Sequence, residues 1–319
     1  MRTWLRLPFI VLSIAGLIGY GAPSMAANMG KQADESSIPT VTSGKIDRIA
    51  LFQSQFVNAR NIDVWLPPHY DQHQRYNVLY MHDGQMLYDA AITWNKKAWH
   101  VDRAVDQLLS SGALPNTIIV GIWNIAPLRH SEYFPEKALT YLDEPLRKQL
   151  IEKALDGQPR ADRYLRFLVE ELKPYIDKTY STMPDRDHTL IMGSSMGGLI
   201  SIYAMSEYPS VFGGAACLST HWPGTFTANA AIPLAFFNYL QHHLPDPAHH
   251  RIYMDHGTET LDALYQVPQS FVDLIVRDKG YDDEHFITQV FPGMKHDEDD
   301  WSKRLALPLQ FLIRAGSNK

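Results

Sequence analysis

From Tyr76 onward the apolar positions fall into short runs separated by longer stretches with helical spacing. Residues 77–82 (NVLYMH), 117–123 (TIIVGIW), 189–192, 212–219, 251–255 and 286–291 are short and almost continuously apolar, which predicts strands buried on both faces. Residues 98–109, 162–179, 265–279 and 299–313, and the stretch that begins at Leu199, space their apolar side chains three and four apart and predict helices. Ahead of this series, 48–57 and 59–66 read as two strands across a short turn at Asn58, the second ended by Pro67 and Pro68. Strands alternating with helices predict an α/β fold, a mainly parallel sheet with helices on both faces, in a single domain spanning 46–319. The sequence shows neither an internal repeat nor a low-complexity tract.

Two segments depart from the alternation. Residues 124–160 and 221–250 each follow the carboxyl end of a predicted strand, where open α/β sheets keep their ligands, and are candidates for the walls of a substrate pocket. The amino terminus departs differently. Arg2 and Arg6 precede an uncharged apolar run from Leu7 to Tyr20, and Ser24 and Ala26 are small residues at the positions a signal peptidase reads. Residues 1–26 are expected to be a cleaved signal peptide and 27–45 a flexible leader, which places the mature protein in the periplasm or outside the cell without stable membrane insertion.

Composition narrows the partners. Removing Arg2 and Arg6 from 29 basic residues leaves 27 against 35 acidic ones, a net charge of −8 for the mature chain, which argues against nucleic acid. The single cysteine, Cys217, lies in an apolar run and cannot form an internal disulfide. The paired histidines His242-His243 and His249-His250 lack the spacing and acidic company of a metal site, so no metal is expected.

The chemistry centres on LIMGSSMGGL, residues 190–199. A strand breaks at Gly193-Ser194-Ser195-Met196-Gly197-Gly198 and resumes as a helix, the setting of a G-x-S-x-G nucleophile elbow. Small residues at 193, 197 and 198 are expected to let the backbone bend sharply enough to lift Ser195 above the sheet. A serine hydroxyl needs a base within reach and an acid to orient that base. In α/β-hydrolases these follow in the order serine, acid, histidine. His296, between the last strand and the terminal helix, is the expected base. The acid should lie after strand 251–255, where Glu259 and Asp262 stand. Glu259 is the nearer to the strand end and is preferred, with Asp262 left as the helix-capping acid or as the alternative. The backbone N–H of Met196 and, after strand 77–82, that of Gln85 are expected to form the oxyanion hole. Arg129 is a candidate to hold a substrate carboxylate or catecholate oxygen, or else to brace its loop by pairing with Glu132 or Glu136. Tyr133 and Trp222 are candidate flat faces for substrate binding.

Five blocks, LYMHDGQMLYD, TIIVGIWN followed by Arg129, Tyr133 and Pro135, then GSSMGG, DHGTETLD and PGMKHDEDDW, occur in this order. Together they resemble the Putative esterase family, which includes esterase D, enterochelin-type siderophore esterases and feruloyl or acetyl-xylan esterases. The resemblance covers roughly 46–315. It implies an α/β-hydrolase fold and a carboxylic-ester hydrolase without cofactor, with Ser195 as nucleophile and His296 as base. Many relatives carry the acid three residues after the loop glycine, a position held here by Thr260, and some siderophore esterases use a serine–histidine dyad. The expected function is an exported serine esterase acting through an acyl-enzyme on a small-molecule or carbohydrate ester, such as a siderophore lactone or a feruloyl or acetyl sugar. An acyltransferase or a non-catalytic binding module on the same fold are the alternatives.

Overall fold

The computed structural model describes residues 37–226 and 229–314. All of them fall in one compact unit, Gln32–Lys319. The expected signal peptide, 1–26, lies outside the described residues.

Eight strands form one sheet in the order β1-β2-β4-β3-β5-β6-β7-β8. β1 (Lys45–Phe52) pairs antiparallel with β2 (Arg60–Leu66), and β2 antiparallel with β4 (Thr117–Ile122). From β4 onward every pairing is parallel, through β3 (Asn77–His82), β5 (Thr189–Ser194), β6 (Gly214–Leu218), β7 (Arg251–Gly257) and β8 (Phe286–Phe291). The continuous apolar runs have a direct cause. Alternate residues of one strand point to opposite faces, and both faces are covered. Val78, Tyr80 and Ile191 join one apolar cluster, while Leu79, Met81, Leu190 and Met192 join the other. Because β4 and β5 flank β3 on opposite sides, the chain after β3 and the chain after β5 leave from a point where the sheet order reverses. Open α/β sheets bind ligands in the crevice at such a point.

The helices are α1 (Val101–Ser110), α2 (Arg129–Tyr133), α3 (Glu144–Ala154), α4 (Ala161–Arg166), α5 (Lys173–Thr179), α6 (Met196–Glu207), α7 (Ala231–His243), α8 (Gln266–Asp278), α9 (Glu298–Arg304) and α10 (Ala306–Leu312). The helix expected over 162–179 is interrupted by a π turn at Phe167–Leu172. Pro174, which has no N–H to donate, begins the next segment and accounts for the break in the regular ladder. The two irregular segments are partly helical. α7 was hidden by Pro233, which is tolerated in a first turn because its N–H would have no intrahelical acceptor there.

Two boundaries move. β1 starts at Lys45 and ends at Phe52, after a register shift with Leu51 in the left-handed region, so 53–57 is not strand. The end of the expected flexible leader is pinned. The Thr40 N–H donates to Asp89 at 3.0 Å, the Thr42 N–H and hydroxyl both donate to Asp102 at 2.7 Å, and Trp65 Nε1 donates to the Ser43 carbonyl at 2.8 Å. Among the described residues no helix is long and apolar enough to cross a membrane.

Candidate active site

β5 delivers its chain to a sharp bend. Ser195 has φ 58° and ψ −123°, a conformation that a residue with a Cβ adopts only under strain. Two glycines make the bend possible. A Cβ on Gly193 would lie 2.7 Å from the Gly197 carbonyl, and one on Gly198 would lie 2.7 Å from Thr220 Oγ1. Gly197 itself has room for a Cβ, so the bend depends on 193 and 198 and not on all three glycines. Residues 189–194 and 196–206 are buried and Ser195 alone between them is half-buried, so its hydroxyl is the group this elbow presents.

His296 arrives from the turn after β8 and meets a carboxylate. Its Nδ1–H donates to Asp262 Oδ1 at 2.5 Å, and its ring is packed edge-on against Trp301 and Tyr265, with centroids 5.1 and 5.7 Å away. The carboxylate is that of Asp262, which corrects the preference for Glu259. β7 continues to Gly257, beyond the expected end, and the Thr258 and Glu259 amides both donate to the Met294 carbonyl at 3.0 Å. The Glu259 side chain is left exposed, and a 3-10 turn at Thr260–Leu264 swings Asp262 inward to full burial. Thr260 is also engaged, its hydroxyl accepting the His296 N–H at 2.9 Å.

Asp262 is held by more than His296. Its Oδ2 accepts the Gly257 N–H and the Ser219 hydroxyl, each at 2.6 Å. The Ser219 proton is committed to that bond, because Trp301 Nε1 at 2.9 Å and Arg304 Nη2 at 2.8 Å also face Ser219 Oγ and neither group can accept. Arg304 is paired in turn with buried Asp255 at 3.0 Å. Burial favours protonation of Asp262, but its bonds to His296, Ser219 and Gly257 outweigh this and hold the carboxyl below the usual carboxylate range. In the sequence Ser219 is only a polar residue at the end of an apolar strand, and nothing but that position could have drawn attention to it. Ser219→Ala removes one donor from Asp262 and leaves two buried donors facing an apolar methyl group. It should lower stability by about 2 kcal/mol in urea titrations and lower kcat about tenfold with KM little changed.

The loop after β3 has its own brace. Asp83 takes φ 58°, and a 3-10 turn follows at Gly84–Met86, packed so closely that a Cβ on Gly84 would lie 2.6 Å from the Gly121 backbone. Arg129 grips Asp83 with two bonds of 2.8 Å, from Nε to Oδ1 and from Nη2 to Oδ2, and Asn124 Nδ2 adds a third at 2.6 Å. Among the described residues the backbone N–H groups of Met196 and Gln85 have no acceptor, as donors awaiting an oxyanion would require.

Of the three residues expected at the substrate face, two are fully buried and the third is engaged by an acid. The Arg129 guanidinium is engaged by Asp83, and neither Glu132 nor Glu136 is its partner. Glu132 pairs with Arg60, and Glu136 accepts the Asp162 N–H. Tyr133 is fully buried, with its hydroxyl against the Asp83 amide. Trp222 is fully buried as well, its Nε1 donating to Gln269 at 2.9 Å. The exposed aromatic nearby is Phe226, 73 % exposed, with its ring against His221 and His130. Of the paired histidines, His243 stacks on Tyr239 and His250 bonds two carbonyls. Among the described residues no three potential ligands gather as a metal group.

Comparison with known proteins agrees with this architecture. The chain is 23 % identical to the uncharacterized protein YbbA of Bacillus subtilis (strain 168) over 272 residues, covering 82 % of this chain and 94 % of that one. A ferulic acid esterase superposes with a TM-score of 0.61 at 21 % identity, covering 84 % of this chain and 97 % of its own. The enterochelin esterase of Shigella flexneri superposes with a TM-score of 0.60 at 16 % identity, covering 86 % of this chain but only 60 % of that longer enzyme. The family described as "Putative esterase" matches residues 54–312. By that match, which takes in the bend, the acid loop and the histidine turn alike, the chain belongs to the Putative esterase family and has the α/β-hydrolase fold.

Proposed function

We propose that the chain is an exported serine esterase that works through an acyl-enzyme. The observation that carries this reading is the buried Asp262 bonded to His296 Nδ1 and to Ser219, the residue after Leu218, whose carbonyl accepts the N–H of Ser195 on its strained elbow. With Nδ1 protonated against Asp262, Nε2 of His296 is the free base. It takes the Ser195 proton as Oγ adds to the ester carbonyl, and returns it to the departing alcohol. The carbonyl oxygen gathers negative charge against the Met196 and Gln85 amides. Water, deprotonated by the same Nε2, then releases the acid and restores Ser195. Export is read from the signal-peptide pattern at 1–26.

The acyl group is proposed to be aromatic. Phe226 offers an apolar face beside His221 and His130, and the structural neighbours include ferulic acid and enterochelin esterases. Purified chain lacking residues 1–26 should take one fluorophosphonate label on the peptide that contains Ser195. It should also hydrolyse feruloylated arabinose or a catecholate lactone with higher kcat/KM than acetylated xylan. Absence of both label and turnover overturns the reading, whereas a preference for acetylated xylan overturns only the aromatic assignment. A competing alcohol that diverts most of the product into a new ester would mark an acyltransferase instead.

A further inference from the structure

Behind Asp262 lies a second buried acid that the reaction scheme does not use. Asp255 stands on β7 opposite Leu218 of β6, and its carbonyl accepts the Ser219 N–H at 2.7 Å, so the sheet itself sets Asp255 beside Ser219. One nitrogen serves both side chains: Arg304 Nη2 lies 2.8 Å from Ser219 Oγ and 3.0 Å from Asp255 Oδ1. Tyr253 donates its hydroxyl to the other carboxylate oxygen, Asp255 Oδ2, at 3.0 Å. The rest of the guanidinium meets neutral groups, with Nη1 facing Met294 Sδ at 3.5 Å and the Phe291 ring 5.0 Å away. Asp300, one turn before Arg304 on α9, is occupied by Lys303 at 2.5 Å and by the Lys295 N–H at 2.6 Å. Among the described residues Asp255 is therefore the sole ion-pair partner of Arg304.

Charge alternates along these contacts. Asp255 is negative, Arg304 positive, Asp262 negative, and His296 becomes positive once Ser195 gives up its proton, with Ser219 Oγ bridging Arg304 to Asp262. Asp255, Arg304, Ser219 and Asp262 are all buried, where screening is weak, so an uncancelled Arg304 would oppose the imidazolium that each half of the cycle must form. Stability alone does not account for the pair. Burial pushes the Asp255 carboxyl up to about 6 against the pull of Arg304 and Tyr253. A carboxyl raised on folding binds its proton more tightly in the native state, so stability falls as the pH climbs from the ordinary carboxylate range to about 6, and the cost persists above it. We propose that Asp255 is the counter-charge to Arg304: Arg304 fixes Ser219 against Asp262, and Asp255 cancels the positive charge this brace introduces, leaving Asp262 free to stabilise the His296 imidazolium. Both are positioning residues, acting on His296 through Ser219 and Asp262. The proposal rests on the reading of Ser195 and His296 as nucleophile and base.

The test is a double-mutant cycle on a chromogenic acetate, with the pH profile of kcat/KM measured for each variant. Asp255→Asn leaves Arg304 uncancelled. It should lower kcat about 3- to 10-fold with KM little changed, and move the acid limb of the profile about half a unit to one unit toward lower pH, because a nearby positive charge disfavours protonating the base. Arg304→Gln removes the charge itself, and Asp255, buried without its partner, then takes up a proton. Adding Asp255→Asn to Arg304→Gln should therefore change kcat by less than twofold and leave the acid limb where Arg304→Gln puts it. A merely structural Asp255 would slow both backgrounds alike and leave the limb unmoved, which overturns the proposal. Should Asp255→Asn not be recovered folded, Arg304→Gln against the double variant decides alone: a further loss beyond twofold would show Asp255 acting independently of Arg304, and the counter-charge role would be wrong. If wild type itself shows no turnover, it is the esterase reading that falls.

Discussion

Ser195→Ala should lower kcat/KM for a chromogenic acetate by about 10⁴- to 10⁶-fold and abolish fluorophosphonate labelling, while the melting temperature moves by no more than about 2 °C. The two halves of that expectation come from different features of the elbow. The activity loss follows from removing the one atom that forms the covalent bond. Water cannot take its place efficiently, because the site is built to orient a group fixed at the end of β5. The small stability change follows because alanine keeps the Cβ. The strain at φ 58° is unchanged, Gly193 and Gly198 still admit the bend, and the half-buried hydroxyl is replaced by a methyl group of nearly the same size. A residual rate above the uncatalysed reaction is expected from the Met196 and Gln85 amides, which the substitution leaves in place. Turnover within tenfold of wild type would remove Ser195 from the mechanism.

The elbow was legible in the sequence because its chemistry and its geometry use the same few residues. Glycines crowd the turn where the backbone must approach itself, and the periodicity changes from strand to helix across it. The strands were legible for a similar reason, since burial on both faces turns each into an unbroken apolar run that only its flanks can end. The acid was not, because proximity in sequence to a strand end says little when the strand continues two residues further and a 3-10 turn then reverses the chain. Arg129 shows a different limit. Its pairing with Glu132 or Glu136 looked plausible within its own loop, yet its partner is Asp83, 46 residues earlier, on the far side of a strand pairing that only the sheet order brings together. Ser219, Asp255 and Arg304 share that limit. Each is an unremarkable polar residue beside an apolar run, and each acquires meaning only through partners on other elements.

The choice between the two acids makes the second large prediction. Asp262→Asn should lower kcat about 10⁴-fold, and Glu259→Gln should change it by less than twofold. Three donors converge on Asp262: the Gly257 N–H and the Ser219 hydroxyl on Oδ2, and His296 Nδ1–H on Oδ1. A carboxylate accepts from all three. An asparagine has a single acceptor oxygen, and two donors on one side outweigh one on the other, so that oxygen should face Gly257 and Ser219. Its NH₂ group then faces His296, which can meet it only by moving its proton from Nδ1 to Nε2. The imidazole would present Ser195 with an N–H where a lone pair is needed, so the geometry survives and the base is lost. Glu259 is exposed and its side chain touches none of these groups, so the amide there has no route to the reaction. Steady-state kinetics on the two variants decide between them. Near-normal rates for both would mean that His296 works without a carboxylate, as a dyad.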